Sequence, residues 1–590
     1  MVAQLMGQTP QETTINASHR RYVTPTGAYS NRGTTWADAK NNIQDAINDL
    51  VASHLLPGEV WVKEGTYRPT ESTESGGSSL YASFKIPAGI TVRGGFAGNE
   101  VTLNDRMVKY IDKDGKTVGT AKIGDTFDKD YTEKRFLHPT ILTGDLSSRQ
   151  ANFTWNDQSH RYATQFYGNA YHVVWFATNG FDSKGRANAL QLNDDSWTAT
   201  LEGMIIKRGY AYNSSLEGHP HNAYGGGAYM VKGSMMRDVW IECCEASRNG
   251  GAVYMDGGGV CDHVYVTTSQ AQGIGTSYGY GGGVCIETNP AISDVAPVET
   301  GFRYGMIANC AARQGGGLAI LTSRNTFTET YTNPVTGQQE TRTRVPANYE
   351  DQRNKAYAYA SIVAHNVALI EGGGIYTSGG GAMSQMTIVG NACYGTATIV
   401  NGVTQGRSGG LYSSDKVTVH NSVLCGNYAM SNNGIQYATS RTSISEDLKA
   451  LMEYCRVENN DVTDWSSTRK VQVLSGANPA FVNPHVYGIA RSTDATDEFL
   501  MPFSYRVQKQ SPMVNSGLFS ANLDKEGLTT NRAIYPFDQF TNDLYGRPYQ
   551  AHATLGAINC DNYSVTDVIK KDNLTKTTEG TSTVVHLFVD

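Results

Sequence analysis

The chain has 590 residues, with 48 Lys and Arg against 55 Asp and Glu, a formal charge of −7. This mild acidity argues against a nucleic-acid or anionic-membrane partner, since both call for basic patches, and no apolar run reaches the roughly 18 residues of a membrane-spanning helix. Hydrophobic residues at 39% with only 17% charged exclude general disorder.

The start, MVAQLMGQTPQ, has neither the basic segment nor the long apolar segment of an intact signal peptide. Residues 1–20 are expected to be a flexible, trimmed N-terminus. Residues 36–53, WADAKNNIQDAINDLVAS, predict one amphipathic helix, with Ile43, Ala46, Ile47, Leu50 and Val51 on one face and a Thr35/Asp38 capping box. A strand and turn, GEVWVKEGTY, follow at 58–67. YIDKDGKTVG at 110–119 carries the Asp-Gly signal of a hairpin. The stretch 112–123 begins like a calcium loop, but Ile123 stands where the bidentate acid belongs.

From residue 224 a repeat is written in glycine: YGGGAYM, NGGAVYM, YGGGVCIE, QGGGLAI, EGGGIYT and SGGLYS. Each cluster precedes a short run of alternating apolar residues, and the step varies too much for a helical repeat. Gly226, Gly251, Gly282, Gly316, Gly373 and Gly410 are read as equivalent structural positions. Asn309, Asn366, Asn391 and Asn427 precede or follow the strands and are read as a ladder inside a turn, since Asn tolerates left-handed backbone and bonds its neighbours. One coil cannot bury its own apolar face, so coils must stack, with strands about 4.8 Å apart. The fold class is therefore all-β: a single-stranded parallel β-helix with an N-terminal capping helix and hairpin insertions. Val284, Leu318, Ile375 and Leu411 are expected to fall in register.

Further insertions are predicted around Asn401-Gly402 (396–406) and at 326–345, TFTETYTNPVTGQQETRTRV. The second lies in a coil whose glycine step, Gly316 to Gly373, is 57 residues. Its pattern sets Phe327, Glu329 and Tyr331 on one side, with Arg342 and Arg344 across from them. Near the C-terminus, 583–589 alternates as a strand does. The expected divisions are 1–20, a cap and first coils at 21–170, a repeat core at 171–480, an end region of the solenoid at 481–562 and a tail at 563–590.

These pieces together resemble a family: the polymorphic-outer-membrane-protein-like, right-handed parallel β-helix surface proteins of Bacteroidota-type bacteria. The matching stretches are YVTPTGAYSNRGTTWADA, GEVWVKEGTYRP, FKIPAGITVRGGFAGNE, HPTILTGDLS and LEGMIIKRGYA, then the glycine coils, then NPAFVNP, YRVQKQSPMVNSG and DLYGRPYQAHATLGAIN. They cover roughly residues 20–560. The resemblance implies a right-handed, pectin-lyase-like solenoid and an extracellular or outer-membrane-surface location. It implies no activity, and such proteins often carry a C-terminal anchoring domain that is not visible here.

Parallel β-helices also host lyases and glycoside hydrolases, so catalytic groups were weighed. Asp194 and Asp195 are the paired-carboxylate candidates, with a solvated turn as the plainer reading. His219 and His221 share a loop but lack further ligands for zinc. Lys207-Arg208 reads as an exposed edge pair. The Tyr excess, 34 against 17 Phe, points to flat surfaces for sugars or proteins; Tyr278, Tyr280, Tyr331, Tyr357 and Tyr359 are placed in or beside loops. The ligand-binding candidates are Tyr278, Tyr280, Phe327, Tyr331, His219 and His221. No metal or cofactor is expected. The nine Cys form no CxxC pair and read as buried free thiols. The functional expectation is a non-catalytic surface protein binding a glycan or protein through its loops. The alternatives are a polysaccharide lyase or hydrolase, and a structural subunit docking to outer-membrane proteins through one end or the C-terminal strand.

Overall fold

The computed structural model describes residues 15–431 apart from interruptions, the longest at 126–132, 181–187, 191–197, 213–219, 289–299 and 345–355, and beyond 431 only short stretches. One coil shows how the chain runs. Ala228–Val231 lies on one face, Ser234–Glu242 on a second and Glu245–Ala246 on a third, before the chain returns to the first at Val253–Asp256. Each of these strands pairs in parallel with its counterpart one coil later. Among the described residues the three faces are sheets of nine, 21 and eight strands. Parallel pairing begins with Arg20–Val23 against Gly58–Lys63 and continues to Arg456–Val457 against Leu474–Ser475. The chain is a parallel β-helix.

The core is a set of columns. Val284, Leu318, Ile375 and Leu411 are successive register partners, all fully buried. Buried Cys residues fill similar inward places: Cys244, Cys261 and Cys310 belong to the same hydrophobic cluster. The seven described cysteines are free and buried. Burial pushes the Cys244 and Cys393 thiols up to about 12, so they pack as small hydrophobes and not as nucleophiles.

The corners need left-handed backbone, and they also align. Asp238, His263, Tyr304, Ala360, Gln385 and Asn421 lie between φ +43° and +57°, bending the 21-stranded face. Cys243, Thr268, Asn309 and His365 form a second left-handed column, continued by Gly390 and Gly426. The residue after this second column points into the turn. There Asn366 Nδ2 donates to Asn391 Oδ1 at 3.0 Å, and Asn391 Nδ2 donates to Asn427 Oδ1 at 2.9 Å. The same Oδ1 atoms accept the backbone N–H groups of Asn366 and Asn391, at 2.9 and 3.1 Å.

Asn309 is not a rung of this ladder. It supplies the left-handed corner, and Cys310 is the register equivalent of Asn366, donating its N–H to Asn366 Oδ1 at 2.9 Å. The cause is a bulge. Ala312 pairs with Ala368, but Gln314 pairs with Glu371, so one extra residue hides between Asn366 and its glycines. Gly410 is also displaced by one. Ile375 pairs with Leu411, which sets Gly409 opposite Gly373, while Ser408 takes the left-handed place that glycine fills in the other coils.

The predicted helix is shorter than expected. Thr35 caps a separate turn, Trp36–Asp38, and the α-helix is Ile43–Ala52 with Asn42 as its cap. Residues 39–40 are extended instead, because the Lys40 carbonyl accepts from Thr24 and its N–H donates to Tyr22. Ile43, Ala46, Ile47 and Leu50 are buried, whereas Val51 is exposed.

The insertions form hairpins: Met107–Ile111 with Thr117–Lys122, Ile399–Val400 with Val403–Thr404, and Phe327–Thr332 with Gln339–Arg344. In the last, Glu329 is the register partner of Arg342 and Phe327 of Arg344. Two antiparallel strands, Leu574–Glu579 and Ser582–Leu587, occur near the C-terminus. Part of the expected end region folds back along the rod. The Gly556 N–H donates to the Asn421 carbonyl at 2.9 Å, and the Ala557 N–H donates to Thr387 Oγ1 at 2.9 Å. Asp543, Leu544, Ala557 and Ile558 are buried there.

Asn391→Ala is expected to cost about 3 kcal/mol or more in denaturant unfolding, because it strands several buried polar partners at once. Gly409→Ala is expected to destabilise by about 2 kcal/mol or more, since a Cβ there would lie 2.2 Å from the Tyr428 carbonyl oxygen. An unchanged denaturation midpoint for either variant would contradict these packing assignments.

Candidate functional site

At the N-terminal end of the nine-stranded face is a cleft of about 650 Å³, within the range of small-molecule sites. Three parts of the chain build its walls. The capping helix contributes Gln44, Asn48, Val51 and Ala52, one stripe at helical spacing. Glu71 and Lys85 adjoin Asn48 and Gln44, and Trp175, Thr178 and His221 form the far side.

The near wall is a chain of hydrogen bonds. Gln44 holds the backbone of Lys85 at both ends: its Oε1 accepts the Lys85 N–H at 2.8 Å and its Nε2 donates to the Lys85 carbonyl at 3.2 Å. Asn48 Nδ2 donates to Glu71 Oε1 at 2.5 Å, and Lys85 Nζ lies 2.7 Å from Glu71 Oε2. Burial works against the Glu71 charge, but the bonds from Lys85 and Asn48 outweigh it and hold the carboxyl below its ordinary value. The remaining wall, Ile47, Val51, Ala52, Pro87 and Ala177, is apolar.

The far wall begins a column of rings. Lys85, Trp175, Tyr229 and Tyr254 are successive register partners pointing outward. Trp175 lies 5.4 Å from the His221 ring, 4.9 Å from His172 and 4.9 Å from Tyr229. Burial pushes His172 down to about 4, so it is neutral at pH 7, and its Nδ1 faces the Gly225 carbonyl at 2.9 Å. Farther along, the Tyr229 hydroxyl donates to Asp256 and the Tyr254 hydroxyl to Glu287, both at 2.7 Å. Asp256 and Glu287 are register partners on adjacent coils. Burial and the neighbouring Asp256 together raise the Glu287 pKa.

Of the sequence candidates, His221 lines the cleft. Tyr280 is on the same face, with its ring 5.3 Å from Tyr376. Asp194, Asp195, His219 and Tyr278 lie outside the described residues, and for Phe327 and Tyr331 only the backbone register is described. Tyr357 and Tyr359 are not loop residues; they belong to the strand Ala356–Tyr359 and are buried. Tyr357 covers Gly301, where a Cβ would meet its ring. Lys207 and Arg208 are not a free edge pair either: Lys207 is buried 2.7 Å from Glu242, and Arg208 lies 3.8 Å from Asp145. Among the described residues, no group of three or more His, Cys, Asp or Glu is placed to hold a metal ion.

Sequence reasoning missed the Glu71–Lys85–Asn48 wall and the Asp256–Glu287 pair. It also missed a charge column on the 21-stranded face, where Arg93, Glu202, Arg237, Asp262 and Arg303 alternate in sign as register partners. No local signal marks any of these, since the partners come from different coils.

Neither a protein-family model nor a curated protein matches the chain. Two solved structures are similar in course. The crystal structure of pectate lyase Pel9A is 11% identical, with 93% of this chain and 98% of that one covered and a TM-score of 0.42. The complex structure of XylC with xylose is 8% identical, with 92% and 98% covered and a TM-score of 0.32. Identities this low carry no information on activity.

The eight-stranded face holds a buried acid. Glu245 lies beneath the hairpin of Phe153–Asn156 and Arg161–Thr164; it accepts from Gln270 at 3.1 Å and from Gln272. Burial lifts its pKa from 4.5 to about 7, against the bonds from Thr164 and Gln270. A raised carboxyl pKa favours the folded state while the group is protonated, so this contribution is full below about pH 4.5 and lost as pH rises to about 7. Thermal melts at pH 5 and pH 8 are expected to differ more for the parent than for Glu245→Gln. An equal pH dependence would place the titration elsewhere.

Proposed function

We propose that this chain is a non-catalytic, extracellular or outer-membrane-surface binding protein of the polymorphic-outer-membrane-protein-like type, and that its ligand is a glycan held in the cleft beside the capping helix. The observation that carries the reading is the pairing of walls. A rigid row of amide, carboxylate and ammonium groups shares the cleft with the apolar side chains of Val51, Ala52, Pro87 and Ala177 and with the rings of Trp175 and His221. A sugar ring has the matching division, with hydroxyls at its rim and C–H groups on its faces. A stacked solenoid holds such walls in place without ligand, which lowers the ordering cost of binding.

A catalytic reading would rest on Asp256 and Glu287, acids on adjacent coils. Each already accepts a tyrosine hydroxyl, and Asp256 is buried, which supports a packing role for the pair. The hairpin 326–345 is the other site of recognition the sequence offers, and the same experiment separates it from the cleft.

On a glycan array, the intact protein is expected to bind at least one saccharide. Val51→Glu combined with Asn48→Ala should weaken that binding tenfold or more, while replacing 326–345 by a short Gly-Ser link should leave it unchanged. The opposite pattern would move recognition to the hairpin. Release of unsaturated or reducing-end products from the bound saccharide would overturn the non-catalytic reading.

A further inference from the structure

We infer that the cleft selects neutral saccharides and rejects acidic ones; this rests on the glycan reading above. The polar wall carries one cation and one anion, and the two neutralise each other. Lys85 Nζ is 2.7 Å from Glu71 Oε2 and also donates to the Ser72 carbonyl at 3.1 Å. Two of its three protons are therefore committed before a ligand arrives.

Exposure decides the sign the ligand meets. The Glu71 side chain is 40% exposed and that of Lys85 27%, so the acid is the more exposed partner of the pair. An incoming uronate would lose hydration to approach a wall whose leading group repels it. A neutral ring faces no such cost. Its hydroxyls can donate to the free lone pairs of Glu71 and accept from the Lys85 ammonium, and hydrogen bonds to charged groups are the stronger kind. Val51, exposed one helical turn beyond Asn48, offers a surface to the C–H face. Asn48 holds one carboxylate oxygen through its 2.5 Å bond and Lys85 the other, so Glu71 presents a set orientation.

The test uses the full chain with two probe sets, neutral cello-, manno- and galacto-oligosaccharides and acidic oligogalacturonates, titrated by calorimetry. The parent is expected to bind a neutral probe and none of the acidic ones. Glu71→Gln keeps the side-chain shape, removes the negative charge and releases Lys85. It should gain at least tenfold for oligogalacturonate and lose several-fold for the neutral probe, with circular dichroism confirming the fold. Parent binding to oligogalacturonate that Glu71→Gln does not improve would overturn the selectivity while leaving the glycan reading in place. Binding to neither set, by parent and variant alike, would remove the glycan reading and this inference with it.

Discussion

Every coil must turn its corners within the strand spacing, about 4.8 Å from the corner above and the corner below. That spacing leaves little room for a side chain and forces the backbone into the left-handed region at the same place in each coil. For a residue with a Cβ this conformation costs about 1–2 kcal/mol. The protein meets the constraint in two ways. Glycine occupies one corner of most repeat coils, where its φ is positive and a Cβ would meet the carbonyl oxygen three residues on, and the glycine after it lies against a carbonyl oxygen of the next coil. At most of the other corners non-glycine residues accept the strain, with Gly390 and Gly426 ending the second column, and the amides of Asn366, Asn391 and Asn427 bond backbone groups beside that column.

Because the corners are fixed, variation goes into the segments between faces, and these make a second layer over the rod. The hairpin ending at Thr164 lies across Gln270, which bonds both the N–H and the carbonyl of Tyr162. The His160 ring stacks 3.7 Å from Tyr394 of a much later coil. On the nine-stranded face the outward residues Tyr229 and Tyr254 are buried by packing ring against ring, with Trp175 and Tyr224 beside them, and their hydroxyls hold Asp256 and Glu287. The cleft lies where the capping helix meets the first strands of the nine-stranded face, so the element that closes the end of the core also supplies a wall of the site.

The parallel coils were legible because their signal is local: a glycine cluster followed by alternating apolar residues places Val284, Leu318, Ile375 and Leu411 in one column. Register was legible only to within one residue. The bulge before Glu371 and the Ser-Gly-Gly cluster at 408–410 each shift the count by one, so Asn309 and Gly410 were assigned one place from their true equivalents. The outer layer was hardly legible at all. Tyr357 and Tyr359 alternate like surface residues, and nothing nearby in sequence shows that Asp543 and its neighbours are buried against the rod. The cleft escaped for the same reason: Asn48, Glu71, Lys85 and Trp175 are separated in the chain, and of the proposed binding residues that are described, His221 lines it and Tyr280 does not.

The returning stretches at 543–544 and 556–558 also set an order in time. Coils can stack one upon the next as a chain emerges from a ribosome or a secretion pore, since each needs only the coil before it. The contact between Ala557 and Thr387 spans 170 residues, so it waits until nearly all of the chain is delivered. Until then the strip around Thr387 and Asn421 belongs to an unfinished molecule and is open to chaperones and proteases. The rod can therefore lengthen step by step while its outer cover closes late, which separates the growth of the protein from its completion.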